Sequence, residues 1–160
     1  MKTAIVFSSG TGNTKLLAET IQATVGDVAY YGEVSDEALS ADVIYIGSWT
    51  KTGYTCTPDI KKFLCKVRDK KVFLFMTAGF GSSDAYFEPI MYGMKSFVDG
   101  SNEVIGEFIC QGKVSEMVQN VIKEGNEVKY NRIKEEMDKS VSHPDKADTD
   151  KLIAAVKKVM

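Results

Sequence analysis

Between Phe7 and Lys15 the chain reads Ser8-Ser9-Gly10-Thr11-Gly12-Asn13-Thr14, a run of hydroxyls, one amide and two glycines. Such a run suits the start of a helix, where unpaired N–H groups and partial positive charge favour an anion. Gly10 and Gly12 let the backbone approach that anion closely, and Ser9, Thr11, Asn13 and Thr14 offer side-chain donors. The pattern predicts a phosphate held by neutral donors, rather than a polar turn that only caps a helix. Two other phosphate loops are excluded. The run G-x-x-x-x-G-K-[ST] is absent, and Lys15 stands where G-x-G-x-x-G needs its third glycine.

Two more loops stand out. Gly47-Ser48-Trp49-Thr50-Lys51-Thr52-Gly53-Tyr54 holds the only tryptophan, and Thr77-Ala78-Gly79-Phe80-Gly81-Ser82-Ser83-Asp84 has two glycines suited to close backbone approach. Little else carries chemistry. Cys56, Cys65 and Cys110 show no CxxC spacing and share the chain with one histidine, His143, so no structural metal site and no disulfide framework is expected. Cys56 precedes a helix start that could lower its pKa, but packing is the commoner fate of such a thiol, as for Cys65 and Cys110. No catalytic residue and no metal is assigned.

The elements that must position these loops follow from periodicity. Buried strands are predicted at Ala4–Phe7, 28–31, Asp42–Gly47, Val72–Met76 and Val104–Cys110, with Gly106 marking a bulge. Helices are predicted from Leu16 to Val25, after Thr57-Pro58 through Val67, from Tyr86 to Phe97, over 113–139 with a break at Gly125-Asn126, and from Leu152 to Val159. Strand and helix alternate, which predicts an α/β protein: a three-layer α/β/α sandwich around a five-stranded parallel sheet. Ligands of such sheets bind beyond the C-terminal strand ends, where the three loops lie.

Composition bounds the partners. In 160 residues, 20 basic and 22 acidic side chains give a net charge of −2, with 44% hydrophobic and 26% charged residues. That is an ordinary globular balance for one domain over residues 1–160. It lacks the basic excess of a nucleic-acid binder, and no apolar run is long enough to insert in a membrane or to serve as a signal peptide. A reducing cytoplasm is the expected location.

Ser9-Gly10-Thr11-Gly12-Asn13-Thr14 resembles the [ST]-x-T-G-x-[ST] phosphate loop of flavodoxins, in its expected place after the first strand. Length and element alternation also resemble the short-chain members, so the likeness spans roughly the whole chain. It implies the sheet order 2-1-3-4-5, an FMN cofactor without metal, and electron transfer between redox partner proteins. It further implies that Ser9 to Thr14 hold the phosphate, while Ser48, Trp49, Thr50, Lys51 and Gly53 and the segment Thr77, Ala78, Gly79, Phe80 and Gly81 cradle the ring. Trp49, or Tyr54 as second choice, would stack on it.

The patterns Ser48-Trp49-Thr50-Lys51 and Ala78-Gly79-Phe80-Gly81 resemble a subgroup from anaerobic bacteria, some of whose members are associated with bilirubin reduction. Two departures from the family pattern matter. Asp84 stands where a stacking tyrosine is usual, which implies an open flavin face and, as a rival function, reduction of a small substrate there. Lys51 stands in a loop that is normally acidic, which predicts a less negative potential for the last electron if its ammonium reaches the ring. No second nucleotide motif is visible, which favours the carrier over an NAD(P)H-dependent oxidoreductase.

Overall fold

The computed structural model describes residues 1–51 and 55–160. Five parallel strands, β1 (Thr3–Phe7), β2 (Tyr30–Gly32), β3 (Val43–Trp49), β4 (Lys71–Ala78) and β5 (Glu103–Gln111), form one sheet in the order β2-β1-β3-β4-β5. This is the order the loop motif implied. Six helices accompany them among the described residues: α1 (Asn13–Val25), α2 (Pro58–Leu64), α3 (Asp84–Lys95), α4 (Glu116–Gly125), α5 (Glu127–Ser140) and α6 (Lys146–Lys157).

The strands are apolar on both faces because each face is covered. Ile5, Phe7, Val43, Tyr45, Phe73 and Phe75 pack with Leu17, Ala18 and Ile21 of α1 and Leu152 and Val156 of α6. The alternate residues, Ala4, Val6, Ile44, Ile46, Val72, Leu74 and Met76, pack with Ile60, Phe63 and Leu64 of α2 and Met91 and Met94 of α3. The period of two along each strand thus sorts one side chain to each layer.

Several boundaries differ from the sequence reading. β3 runs on through Ser48 and Trp49 and β4 through Thr77 and Ala78, so these four residues are strand rather than loop. The parallel register Ser48↔Met76, Trp49↔Thr77 and Thr77↔Cys110 continues because backbone pairing does not require apolar side chains. β2 begins at Tyr30, later than expected, since it pairs only along Ala4 to Val6. α2 stops at Leu64, and Val67 buries itself from the turn beyond. Cys65 at that end is exposed rather than packed.

The bulge and the helix break fall where the sequence placed them. The β4–β5 register skips from Val72↔Val104 to Phe73↔Gly106, leaving Ile105 as the extra residue. A Cβ on Gly106 would lie 2.7 Å from the Phe73 ring, so the glycine makes room for that aromatic. Asn126 is extended (φ −159°) between α4 and α5, and its side chain accepts from the Lys129 N–H to start the second helix.

Gly47 stands between Phe7 and Phe75 in the register of the three central strands. A Cβ there would run into the Phe75 ring. Gly47→Ala is therefore expected to destabilise the fold by about 1–3 kcal/mol, read as a lower urea midpoint at unchanged m. An unchanged midpoint would show that Phe75 has room to move aside.

Candidate functional site

The loop between β1 and α1 lies where the strand order reverses, β1 leading to β2 on one side and to β3 on the other. Ser8 is held there by its N–H bond to the Gly47 carbonyl at 3.0 Å. Gly12 precedes α1 with φ +96°, a left-handed conformation that disfavours any side chain. The Lys15 N–H donates to Ser9 Oγ at 3.2 Å and the Leu16 N–H to the Gly12 carbonyl at 3.0 Å. The backbone N–H groups from Gly10 to Thr14 meet no protein acceptor among the described residues. Gly10, Thr11 and Gly12 are exposed. Free amides, the positive end of α1 and the hydroxyls of Ser9 and Thr11 form a donor set that fits a phosphate.

Two of the proposed side-chain donors are engaged elsewhere. Thr14 is fully buried, and its hydroxyl pairs with that of Thr77 at 3.1 Å, tying the first turn of α1 to the end of β4. The Asn13 amide donates to the Lys113 carbonyl at 2.9 Å and to Thr11 Oγ1 at 3.3 Å, fastening the same turn to the chain leaving β5. These two residues hold the loop in shape.

Ser48 likewise faces inward. It is buried, accepts from the Thr57 N–H at 2.9 Å and donates to the Trp49 carbonyl at 2.8 Å, closing the loop that ends at α2. Thr50 donates from both its N–H (3.0 Å) and its hydroxyl (2.9 Å) to the Thr77 carbonyl. The Trp49 indole lies across the first loop, with Cε2 and Nε1 each 3.7 Å from the position of a Cβ on Gly10. Trp49 is half-buried and Lys51 is exposed. Gly53 and Tyr54 lie outside the described residues.

The loop after β4 is packed from below. Gly79 abuts the Val114 side chain, and Gly81 abuts the Tyr86 ring, so neither position tolerates a Cβ as placed. The Phe80 N–H donates to the Tyr86 hydroxyl at 3.3 Å. Burial raises the Tyr86 pKa, a shift opposed by that N–H bond, so the phenol stays neutral. Helical spacing places Tyr86 on the buried stripe of α3, but its contact with the loop is not legible there because a helix period does not say which end of a ring is polar. Gln111 donates to the Glu136 carbonyl at 2.9 Å and reaches the Gly79 carbonyl at 3.5 Å. Ser82 Oγ donates to Glu136 at 3.3 Å, so α5 braces this loop as well.

A cavity of about 700 Å³ opens beside this loop, with Ser82, Asp84, Phe87, Phe108, His143 and Lys151 in its lining. Asp84 is exposed at the start of α3, so no aromatic stands at that position. His143 Nδ1 lies 2.6 Å from Asp148, whose other contact, with the Asp145 N–H, completes the capping box of α6. This gives His143 a structural role at the helix start.

Comparison with known proteins follows the same outline. A family model described as Flavodoxin domain matches residues 4–157. A flavodoxin-like domain-containing protein BilS of Clostridioides difficile (strain CD3) is 31% identical, over 92% of this chain and 90% of that one. The flavodoxin of Megasphaera elsdenii superposes with a TM-score of 0.55 at 20% identity, covering 98% of both chains. A flavoprotein in complex with FMN from Lactobacillus acidophilus NCFM gives 0.51 at 24% identity, covering 68% of this chain and 93% of that one.

Two measurements follow. Thr77→Val keeps the strand but leaves the buried Thr14 hydroxyl without its partner, which is expected to cost about 1–2 kcal/mol and lower the melting temperature; an unchanged melting temperature would mean the pair contributes nothing. Burial raises the Cys56 thiol pKa, and burial together with the Asp148 and Asp145 charges raises that of Cys110, whereas Cys65 is exposed. Raised thiol pKa values leave little thiolate at pH 8, so a thiol reagent should modify Cys65 quickly and the other two only after unfolding. Rapid reaction of all three in the native protein would contradict this packing.

Proposed function

The chain belongs to the flavodoxin domain family, and from that membership we propose that residues 1–160 form one FMN-binding domain that carries electrons between redox partner proteins. The observation that carries the reading is the first loop: exposed glycines, unpaired N–H groups and the positive end of α1 at the switch point of the sheet. Bound FMN would supply the redox chemistry, one or two electrons at a time.

The residues divide the work. Ser9, Gly10, Thr11 and Gly12 bind the phosphate, while Asn13 and Thr14 act mainly by fixing their backbone. Trp49, Thr50, Lys51 and Gly53 line one side of the ring site, and Thr77, Ala78, Gly79, Phe80 and Gly81 the other. Trp49 reaches from its side toward the phosphate loop, and Tyr86 keeps the Phe80 amide occupied. Lys51 places positive charge in a loop that holds no carboxylate, favouring a more reduced, more negative cofactor.

The near-neutral chain docks its partners with little electrostatic steering. Exposed Met117, Val118 and Val121 on α4 support a contact that relies on apolar burial. Resemblance to the bilirubin-associated subgroup makes a bilirubin-reducing enzyme a candidate acceptor. No helix among the described residues is long and apolar enough to cross a membrane.

Asp84, exposed at the position where a stacking aromatic is usual, favours a second reading, reduction of a small molecule at an open flavin face. Stepwise anaerobic reduction of the FMN-loaded protein separates the two. A carrier takes up its electrons in two resolved one-electron steps, the last at a less negative potential than an acidic-loop flavodoxin, and does not consume NAD(P)H alone. Direct two-electron bleaching with steady NAD(P)H turnover would establish the reductase instead.

A further inference from the structure

The first loop contains no lysine or arginine, yet the fold brings one beside it that lies 100 residues from Asn13 in sequence. Lys113 follows β5 directly, and its backbone is fixed on both sides. Its carbonyl accepts from Asn13 Nδ2 at 2.9 Å, and its N–H donates to the His143 carbonyl at 2.9 Å. The preceding Gly112 sits so close to the loop that a Cβ there would lie 2.8 Å from Asn13 Nδ2 and 3.1 Å from Thr77 Cβ. The Lys113 side chain is exposed, and no carboxylate pairs with it among the described residues.

Asn13 is the first residue of α1, the turn whose N–H groups face the candidate phosphate position. Lys113 is anchored by its carbonyl one hydrogen bond from that turn, and its charge rides on a flexible four-carbon stem whose reach is comparable to the roughly 8 Å over which physiological salt leaves Coulomb interactions effective. We propose that Lys113 is a specificity-determining residue of the cofactor site, its ammonium selecting the phosphorylated flavin over the unphosphorylated one by long-range attraction to the phosphate. The inference rests on the FMN reading above.

The anchoring explains why this charge is effective without contact. Backbone bonds to Asn13 and His143 fix the base of the Lys113 side chain, so only the stem itself moves. Lys15, exposed on the first turn of α1, shares the field. Neutral donors then fix the phosphate geometrically, and Lys113 adds a non-directional term that salt weakens.

The test compares FMN with riboflavin, which lacks the phosphate, by fluorescence quenching at low and at physiological salt. Lys113→Gln is expected to weaken FMN binding roughly threefold to fivefold at low salt, to reduce its salt dependence, and to leave riboflavin binding unchanged. Lys129→Ala, a cation removed from the exposed face of α5, is expected to change neither. Equal loss for both flavins would assign Lys113 a purely structural role and overturn the proposal, as would FMN binding unaltered by Lys113→Gln. If the unsubstituted protein bound riboflavin and FMN alike, or neither, the phosphate reading itself would fall, and this inference with it.

Discussion

The first turn of α1 is fastened at two points to strands that lie beyond β3 in the sheet: Thr14 to Thr77 at the end of β4, and Asn13 to the Lys113 carbonyl after β5. Both ties matter because an isolated loop of glycines and hydroxyls would lose more conformational entropy on gripping an anion than neutral hydrogen bonds return. With the turn held from behind, its N–H groups are already aligned. The buried hydroxyl pair is worth most here, since an unpartnered hydroxyl in that position would be penalised. Everything proposed for the site depends on this preorganisation.

The same logic extends across the C-terminal edge of the sheet. Thr77 makes three hydrogen bonds to two neighbours, offering its hydroxyl to Thr14 and its carbonyl to both the N–H and the hydroxyl of Thr50. Gln111 and Ser82 connect the loop after β4 to Glu136 of α5, and Val114 fills the space that Gly79 leaves. The α4–α5 hairpin therefore does more than extend the chain between β5 and α6. It braces the loop after β4 while leaving Met117, Val118 and Val121 of α4 exposed.

The strands were legible because a parallel sheet covered on both faces demands continuous apolar runs, and Val72–Met76 and Asp42–Gly47 are such runs. Their polar continuations were not: Ser48, Trp49 and Thr77 read as loop, because pairing at a strand end is decided by the neighbouring backbone. The glycine-rich segment after β1 was legible as the connection from a strand to a helix. Which of its side chains face a ligand was not, since the partner of Asn13 lies 100 residues away in sequence. Cys65 shows the complementary limit, where a helix ending at Leu64 turned a residue read as packed out to solvent.

The central claim is that the N-terminal turn of α1 receives the cofactor phosphate. Amide ¹⁵N–¹H spectra recorded while FMN is added test it most directly, because each N–H reports its own acceptor. The account predicts large downfield proton shifts confined at the phosphate end to the amides of residues 10–14, with riboflavin failing to reproduce them. Shifts centred instead on the cavity between α3, β5 and α6, or a spectrum indifferent to FMN, would contradict it.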